Sequence, residues 1–546
     1  MSLLKNWQVI LEQVLVFGCS LGIFIFSQHE TLSQAFILDD DWPQHLLWLY
    51  QYTSSDFLEG DYYMEASQVL QPWGYWLLNR ILVVFFHPLT ISKVFPFFLL
   101  YATSWFTYYL LRPRMGWVLA LAGMLLMANI PHERMIGFFA RGFGFPLIMG
   151  FLYFWVNEQK KGISIFLFLS TLFYPVSFLL AASIQGLDFI KNSIQHSFKS
   201  TIKKQKTALL SILVCLVVLL LKSYQIRTHP LTGGFLSKKA LLSLPEFGAG
   251  GRVDFSSNMD FGMVWDYLRL PYVLLSFAPY EAIISLVLFV LLATFSWKKG
   301  FKDRLDLAII FLGIGSIALF WAAQLLLPSL FLPERYLYYA YLPLVYLLLI
   351  RVSAIIASRL KKPILFQFFI LIGLSYASLW KVPPKHLGVN NYQDNSSLYE
   401  FIQSLPERKL FAGPPNITSQ IPSFCQQPVL FSDEAIHAIY FKNYYEYVKP
   451  KLADFVAAYS SSNLDSLKSF LVEHQVDYLI LDRSFMEKGQ IWFHEPYKSQ
   501  IQESLKNQPI DSLAVNKIPQ IYLLDVHWRY KLLDVKPFIQ NYANFQ

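Results

Sequence analysis

The chain has 546 residues, of which 55% are hydrophobic, 17% are aromatic and only 15% are charged, and its formal net charge is +8. Soluble domains carry roughly 25% charged residues, so this composition excludes a cytosolic enzyme, a disordered chain and a disulfide scaffold. The basic residues lie in short tracts between apolar runs, which excludes nucleic acid as a partner despite the positive charge. The composition indicates an integral membrane protein.

Apolar runs of membrane-spanning length recur along the first two thirds of the sequence. A bilayer core of about 30 Å requires about 20 mostly apolar residues per helix. The first such run extends from Trp7 to Phe26 and is too long for a signal-peptide core. Further runs begin near Val94, Gly116, Phe143, Ile163, Val176, Ala208, Ile283, Leu305, Tyr336 and Ile364. The sequence therefore predicts a polytopic α-helical membrane protein with about eleven transmembrane helices.

The stretch between the first two predicted spans has two parts. Residues 28–72 contain no Lys or Arg and many carboxylates, whereas the alternate loops further along are basic. By the positive-inside rule, the N-terminus is cytoplasmic and residues 28–72 form an acidic outside loop. Residues 73–86 are apolar but only about 14 residues long, which predicts a helix lying on the membrane surface.

The sequence changes character after residue 380, where prolines and polar residues become frequent. Residues 1–380 are therefore predicted as the transmembrane domain, and residues 381–546 as a small soluble α/β domain outside the cytoplasm. The second long outside loop, residues 224–272, is rich in Gly and is predicted to be mobile. In the tail, strands are predicted at Lys409–Ala412, Pro428–Phe431, Val476–Leu481 and Ile521–Leu524, and helices at Tyr444–Tyr459 and Leu464–His474.

The sharpest local feature is the run Asp39-Asp40-Asp41 in the first outside loop. Three adjacent carboxylates repel one another, so they are stable only when solvated, bound to a metal or paired with cations. A solvated acidic loop is the simplest alternative. However, Trp42 and the segment Leu46–Leu49 follow at once and would hold the carboxylates near the lipid headgroups. This context favours a functional site at the outer membrane surface.

The order of these features resembles the GT-C superfamily of integral-membrane glycosyltransferases, which includes protein O-mannosyltransferases and oligosaccharyltransferases. In that superfamily an acidic motif follows the first helix, and a surface helix, a helical bundle and often an outside tail come after it. The tail here has no Trp-Trp-Asp motif, which argues against protein N-glycosylation. The resemblance is carried by Asp39-Asp40-Asp41, Gln44-His45, Gly60-Asp61, Pro72-Trp73-Gly74-Tyr75, Arg141-Gly142-Phe143, Phe173-Tyr174-Pro175 and Pro333-Glu334-Arg335-Tyr336.

The resemblance implies transfer of a sugar from a polyprenyl-phosphate-linked donor to a glycan, lipid or protein acceptor, with inversion. It implies that Asp40 or Asp41 is the general base and that Asp61 is a second acidic group. Arginines suit a lipid phosphate, although each is equally suited to anchoring a helix end at the headgroups. The residues identify no particular cofactor, and a divalent cation (Mg or Mn) is compatible with the carboxylates. Substrate contacts are expected from Asp39, Gln44, His45, Arg141, Arg335 and Tyr336.

Two other functions remain open from the sequence. A transporter or flippase of lipid-linked sugars would place ionisable residues inside the membrane, often in repeated halves, and the spans here lack both features. A non-catalytic scaffold in cell-envelope polysaccharide assembly would retain the fold without the chemistry. All three functions share the expected location, a multi-pass protein of the plasma (inner) membrane with the tail outside.

Overall fold

The computed structural model describes residues 2–53, 58–129, 132–252, 254, 280–298, 302–330, 332–381, 388–506 and 508–542. The described part up to residue 381 is a helical bundle. Its α-helices are Ser2–Ser33, Trp42–His45, Tyr62–Leu70, Trp73–Leu82, Pro88–Val94, Pro96–Asn129, His132–Met135, Gly144–Val156, Lys160–Phe173, Pro175–Gln195, Phe198–Thr228, Lys238–Ser243, Tyr280–Lys298, Arg304–Leu325, Glu334–Ala357 and Pro363–Lys381.

The bundle contains helices that are long and apolar enough to cross a bilayer. Within the described residues there are 5 of them, namely Trp7–Ser33, Pro88–Asn129, Phe198–Thr228, Arg304–Leu325 and Glu334–Ala357. Only 6% of the apolar window in Phe198–Thr228 is buried, so this helix presents its side chains outward, as expected in lipid. An integral membrane protein is thus confirmed, whereas the number of eleven crossing helices stays a prediction.

The helix Pro96–Asn129 is interrupted at Gly116, where φ is 81° and ψ is 169°. A Cβ atom at Gly123 would lie 2.5 Å from Cδ1 of Leu111. In a straight helix, residues 12 positions apart are separated by about 18 Å along the axis. The chain therefore reverses at Gly116, which accounts for the two separate spans that the sequence predicts in this region.

We expect Gly116→Ala to destabilise the protein by about 1–3 kcal/mol, because its φ and ψ lie in a region that only glycine occupies without strain. The measurement is the thermal unfolding midpoint of the purified protein in detergent. Gly22→Ala is the matched control, because no atom lies within 4 Å of its Cβ position in a regular helix. The control should be neutral or slightly stabilising. Equal midpoints for the two variants would contradict a strained reversal at Gly116.

Loops that the sequence predicts on the cytoplasmic side meet at one end of the bundle. Arg114 Nη2 donates to Asn157 Oδ1 at 3.1 Å. Arg304 Nη1 pairs with Glu158 Oε1 at 3.1 Å. These contacts group the predicted inside loops together, while the side of the membrane that they face stays a prediction.

The surface helix occupies Trp73–Leu82, which at 10 residues is about 15 Å long and cannot span the bilayer core. Leu77 and Ile81 are each 52% exposed on it, and Val84 and Phe85 continue the exposed apolar surface beyond its end. This geometry agrees with the predicted position on the membrane surface.

The tail combines short helices with a small mixed sheet. The strands are β1 (Ile37–Leu38), β2 (Asn390–Asn391), β3 (Phe411–Ala412), β4 (Tyr478–Asp482), β5 (Leu523–Leu524) and β6 (Tyr530–Asp534), with the sheet order β3-β4-β6-β5. The pairing of β3 with β4 is parallel, and the pairings of β4 with β6 and of β5 with β6 are antiparallel. The tail helices are Ser396–Gln403, Pro415–Thr418, Ile421–Cys425, Asp433–His437, Lys442–Tyr459, Leu464–Glu473, Arg483–Lys488, Tyr497–Lys506 and Val535–Gln540.

Strand assignments in the tail differ from the sequence prediction at β2, at Pro428–Phe431 and at β6. The predicted strand Pro428–Phe431 is only an isolated bridge from Val429 to Phe411, because its neighbour β3 is 2 residues long and offers no further partners. Strand β6 was not predicted, and it is the central partner of both β4 and β5. Whether residues 381–546 fold as an independent domain stays a prediction.

The tail packs directly on the first outside loop. Strand β1 pairs antiparallel with β2, which joins the two segments through backbone hydrogen bonds. The buried Tyr50 and Tyr63 hydroxyls donate to the carbonyls of Ser423 and Leu430 at 2.5 and 2.6 Å. The tail thereby forms one wall of the space next to the acidic motif.

The loop predicted to be mobile also contacts the tail over its described residues. Leu236 N donates to Tyr440 O at 2.9 Å, and Lys442 N donates to Gly234 O at 2.8 Å. The rings of Phe235 and Phe441 stack with centroids 4.8 Å apart. Residues 230–252 are therefore docked, and positions 253 and 255–272 of the loop lie outside the described residues.

Candidate active site

The acidic motif is held at the end of β1 by its own backbone. Asp41 N donates to Asp39 Oδ1 at 2.9 Å, and Trp42 N donates to Asp39 O at 3.2 Å. The helix Trp42–His45 begins directly after the motif, and Trp42 and Trp48 are fully buried beneath it. The apolar residues that follow the carboxylates therefore anchor the loop, while the turn leaves the three carboxylates beside one another.

Arg141 pairs with two of the three carboxylates. It lies in the 3-10 turn Ala140–Phe143, and its guanidinium pairs with Asp39 at 3.2 Å and also with Asp41. The Cζ atom of Arg141 lies 4.8 Å from the centroid of the Phe139 ring, which fixes the plane of the guanidinium. Asp40 is exposed, and among the described residues no Lys or Arg forms a salt bridge with it.

The buried member of the motif holds a proton more tightly than an ordinary carboxyl. Burial raises the pKa of Asp39 to about 7, and the charge of Arg141 opposes this rise. The charge of Asp40, and the hydrogen bond that protonated Asp39 donates to Asp40, raise this pKa further. Near neutral pH the motif is therefore partly protonated, which lowers the repulsion among its members.

The structure brings His45 close to Phe139, which contacts Arg141, and brings Arg335 within electrostatic range of His45. The His45 ring lies 5.0 Å from the Phe139 ring, next to Arg141 in the chain fold. Burial, and then the charge of Arg335, lower the pKa of His45 to about 3, so the ring is neutral at physiological pH. Arg335 begins the helix Glu334–Ala357 and lies within electrostatic range of Tyr174.

Tyr336 and Gln44 occupy different surroundings. Tyr336 is 1% exposed, and its hydroxyl donates to Leu330 O at 3.1 Å, so the hydroxyl serves the local fold. Gln44 lines a cleft between the acidic loop and the tail, together with Asp61 and Glu434.

Asp61 is separate from the close group of carboxylates formed by Asp39, Asp40 and Asp41. It is the N-cap of the helix Tyr62–Leu70, where Oδ1 accepts from Met64 N at 2.9 Å. Burial raises the pKa of Asp61 to about 6, opposed by the Met64 hydrogen bond and by the charges of Arg408 and Lys451. The side chain thus has a structural role and also lines the cleft.

We expect Asp61→Asn to be more stable than the parent protein above pH 6, by about 1–3 kcal/mol, because Asn keeps the cap without the buried charge. The folded pKa lies above the unfolded value, so ionisation costs stability as the pH rises from about 4 to about 6. The difference should vanish below pH 4. Thermal unfolding midpoints between pH 4 and 7.5 measure it, with Asp61→Ala as a control that loses the cap at every pH. A pH-independent difference would contradict a raised pKa.

Sequence reasoning missed two acidic residues of the tail. Asp433 and Glu434 begin the helix Asp433–His437, which packs on Trp42–His45. Burial raises the pKa of Glu434 to about 8; Arg252 opposes this, and the charges of Asp433 and of the acidic motif add to it. These residues carry no motif, and the sequence offers no signal that the tail reaches the first loop.

A third residue, Arg134, also lies near the motif. Its Cζ atom lies 5.1 Å from the Tyr338 ring centroid, and its charge lowers the pKa of Asp39. In the sequence, Arg134 lies in the run His132-Glu133-Arg134, which by itself is typical of a solvated hairpin.

The motif also has the donor set of a cation site. One oxygen from each of Asp39, Asp40 and Asp41 lies within 4.8 Å of the others. Carboxylate oxygens are the ligands that Mg and Mn prefer. These residues therefore fit a divalent cation, which would share Asp39 and Asp41 with Arg141.

Solved structures share this architecture, although no protein-family model matches the sequence and no curated protein is significantly similar to it. The Archaeoglobus fulgidus oligosaccharyltransferase, in complex with Zn and sulfate, aligns with a TM-score of 0.54 and 13% identity over 87% of this chain and 68% of that chain. The oligosaccharyltransferase AglB from Archaeoglobus fulgidus, in complex with an inhibitory peptide and a dolichol-phosphate, aligns with a TM-score of 0.51 and 12% identity over 88% and 70%. The chain has the GT-C fold.

A further match is ArnT from Cupriavidus metallidurans, with a TM-score of 0.48 and 11% identity over 97% of this chain and 98% of that chain. The GT-C fold that the acidic motif and its surroundings indicate is thus confirmed by the archaeal structures. At these sequence identities the likeness establishes the fold alone.

Proposed function

We propose that the protein is a GT-C-type glycosyltransferase that moves a sugar from a polyprenyl-phosphate-linked donor to an acceptor hydroxyl at the outer membrane face. The observation that carries the proposal is the arrangement at the acidic loop. An exposed carboxylate, Asp40, lies beside two carboxylates that pair with Arg141. Among the described residues no Lys or Arg forms a salt bridge with Asp40, so it is available as a base in the loop that precedes the helix Trp73–Leu82.

Asp40 is the proposed general base. It takes the proton of the acceptor hydroxyl, the hydroxyl oxygen forms a bond to the anomeric carbon, and the bond from that carbon to the phosphate oxygen breaks. A single displacement inverts the anomeric centre. The lipid phosphate leaves with the bonding electron pair, and a guanidinium is suited to stabilise its charge.

Arg335 is the proposed partner of the phosphate. It lies in the first turn of the helix Glu334–Ala357, within electrostatic range of the neutral His45. A divalent cation held by the acidic motif would supply further positive charge toward the phosphate when bound. AglB was solved with a dolichol-phosphate, which supports a lipid phosphate as the class of donor.

The test is transfer by the purified full chain, reconstituted in lipid vesicles with a panel of polyprenyl-phosphate hexoses and pentoses. Release of polyprenyl phosphate together with a glycosylated product is the expected result. Movement of the lipid-linked sugar across the bilayer without cleavage would indicate a flippase. Neither cleavage nor movement with any donor of the panel would favour the scaffold function.

We expect the tail to be cleaved by protease added outside intact cells, because the basic loops place residues 381–546 on the outer side. A tag at the N-terminus, monitored on the same blot, is the control and should survive. If the tail were protected in intact cells and cleaved only after lysis, the orientation in the membrane would be opposite to the predicted one. The proposed site of transfer would then lie on the other side.

A further inference from the structure

A helical hairpin at one end of the bundle combines exposed apolar side chains with a cluster of lysines. It consists of residues 189–206, which are the end of the helix Pro175–Gln195 and the start of the helix Phe198–Thr228. We call this segment the basic hairpin. The rings of Phe189 and Phe198 meet edge to face across it, with centroids 5.6 Å apart.

Polar side chains fix the two helices of the basic hairpin to one another. Gln185 Nε2 donates to Gln205 Oε1 at 2.9 Å, and Gln205 Nε2 donates to Asp188 Oδ2 at 2.9 Å. Ser197 caps the second helix, because its Oγ accepts from Ser200 N at 3.3 Å. Asp188 is only 3% exposed, so its charge does not contribute to the outer surface of the hairpin.

The basic hairpin exposes apolar side chains that the bundle does not cover. Ile194 is 80% exposed and Phe198 is 63% exposed, and Ile190 and Ile202 are exposed as well. Within each helix the two apolar residues are four positions apart, so each pair lies on one helical face. Exposed apolar residues that cluster in this way mark a surface that contacts a partner or a membrane.

The charge of the basic hairpin is of one sign. Residues 189–206 contain five Lys and no Asp or Glu. Lys199, Lys203, Lys204 and Lys206 are exposed. Lys199 and Lys203 follow Phe198 and Ile202 by one position, so each lies about 100° further round the helix, at the edge of the apolar pair. Lysines that border an apolar face are typical of a helix that lies in a layer of anionic headgroups.

The length of the second helix places the basic hairpin at a membrane boundary. At the far end of this helix, Gln225 Oε1 accepts from Nε1 of Trp73, the first residue of the surface helix. A core of about 30 Å takes about 20 helical residues, so the opposite boundary lies near Gln205. The apolar window between the two boundaries is only 6% buried and faces outward. The exposed surface of the hairpin is therefore continuous with the lipid-facing surface of the helix.

We propose that the basic hairpin binds anionic phospholipids in the leaflet opposite the surface helix, which is the cytoplasmic leaflet in the predicted orientation. Lys199, Lys203 and Lys204 contact the lipid phosphates, and Ile194 and Phe198 lie among the upper parts of the acyl chains. A lipid satisfies both the charge and the apolar face, whereas a free phosphate ion would leave the apolar side chains in water. The inference does not depend on the proposed sugar transfer.

The test titrates the full chain, purified in detergent, with dioctanoyl phosphatidylglycerol, dioctanoyl phosphatidylcholine or inorganic phosphate. Native mass spectrometry measures lipid binding, and thermal midpoints measure folding. We expect phosphatidylglycerol to bind at least about fivefold more tightly than phosphatidylcholine, and phosphate to leave the midpoint unchanged. The triple variant Lys199→Gln, Lys203→Gln, Lys204→Gln should weaken phosphatidylglycerol binding about tenfold or more. Ile194→Gln, at a position that does not support folding, should weaken the binding of both lipids.

The matched control is the triple variant Lys160→Gln, Lys161→Gln, Lys362→Gln, which removes three exposed lysines from other loops on the same predicted side. It should change phosphatidylglycerol binding less than about twofold. Replacing the three lysines of the basic hairpin with Arg should preserve binding, because the charge is kept. Equal weakening by the two Gln triple variants, equal affinity for the two lipids, or stabilisation by inorganic phosphate as large as that by phosphatidylglycerol would overturn the inference.

Discussion

Asp40→Asn is expected to lower sugar transfer by about 10²–10⁴-fold, because the amide keeps the size of the side chain and cannot accept the acceptor proton. The exposed position of Asp40 predicts little change in folding. Asp41→Asn should have a smaller effect on the chemical step, because Asp41 is paired with Arg141 and its loss frees the guanidinium. Initial rates of product formation in reconstituted vesicles measure both effects, with thermal midpoints to confirm folding.

Glu59→Gln is the control for these variants, since Glu59 is an exposed carboxylate of the same loop. It should transfer sugar at the parental rate. If both Asp40→Asn and Asp41→Asn also transferred at the parental rate, the acidic motif would be a solvated surface and the proposed mechanism would be wrong.

Arg141→Met is expected to destabilise the protein by about 3–5 kcal/mol, because it removes the cation shared by Asp39 and Asp41 and leaves a buried carboxylate unpaired. The side chain of Arg141 is only 13% exposed and that of Asp39 only 4%, so water screens their interaction poorly. The loss of unfolding free energy should be largest at a pH above about 7, where Asp39 is ionised. Chemical unfolding in detergent at pH 6 and pH 8.5 measures it.

Adding Asp39→Asn to Arg141→Met should recover part of the stability, because the double variant no longer buries a lone charge. Arg80→Met is the control. Arg80 is exposed on the surface helix and contacts the ring of Trp76 at 5.2 Å, so its loss should cost about 1 kcal/mol or less. Equal destabilisation by Arg141→Met and Arg80→Met, or no recovery of stability in the double variant, would show that the ion pairs of Arg141 do not stabilise the protein.

The contact between the tail and the first loop changes the expected role of the tail. The sequence predicts a tail that assists acceptor or polymer binding rather than chemistry, since its carboxylates form no motif. In the structure, Gln420 Nε2 donates to Asp40 O at 3.1 Å, and Glu434 lies within electrostatic range of Asp39 and Asp40. The tail therefore contacts the acidic motif directly.

The sequence by itself determined the class of protein and the location of its main acidic motif. Apolar length and charge distribution are local properties, so they predict membrane helices, the short surface helix Trp73–Leu82 and the loop that carries Asp39, Asp40 and Asp41. Strands β3, β4 and β5 and the tail helices Lys442–Tyr459 and Leu464–Glu473 were predicted for the same reason. Strand β6 was missed because a strand of 5 residues is defined by its partners β4 and β5.

Only the tertiary structure decided which side chains meet. The pairing of Arg141 with Asp39 and Asp41, the N-cap role of Asp61 and the approach of Glu434 to the acidic loop depend on contacts between segments far apart in the chain. Such contacts form when buried surfaces match and charges are neutralised together, and neither condition leaves a local pattern in the sequence. Burial raises the pKa of Asp39 and of Glu434, and a nearby arginine opposes each rise. Both the burial and the arginine contact arise only when these segments fold together.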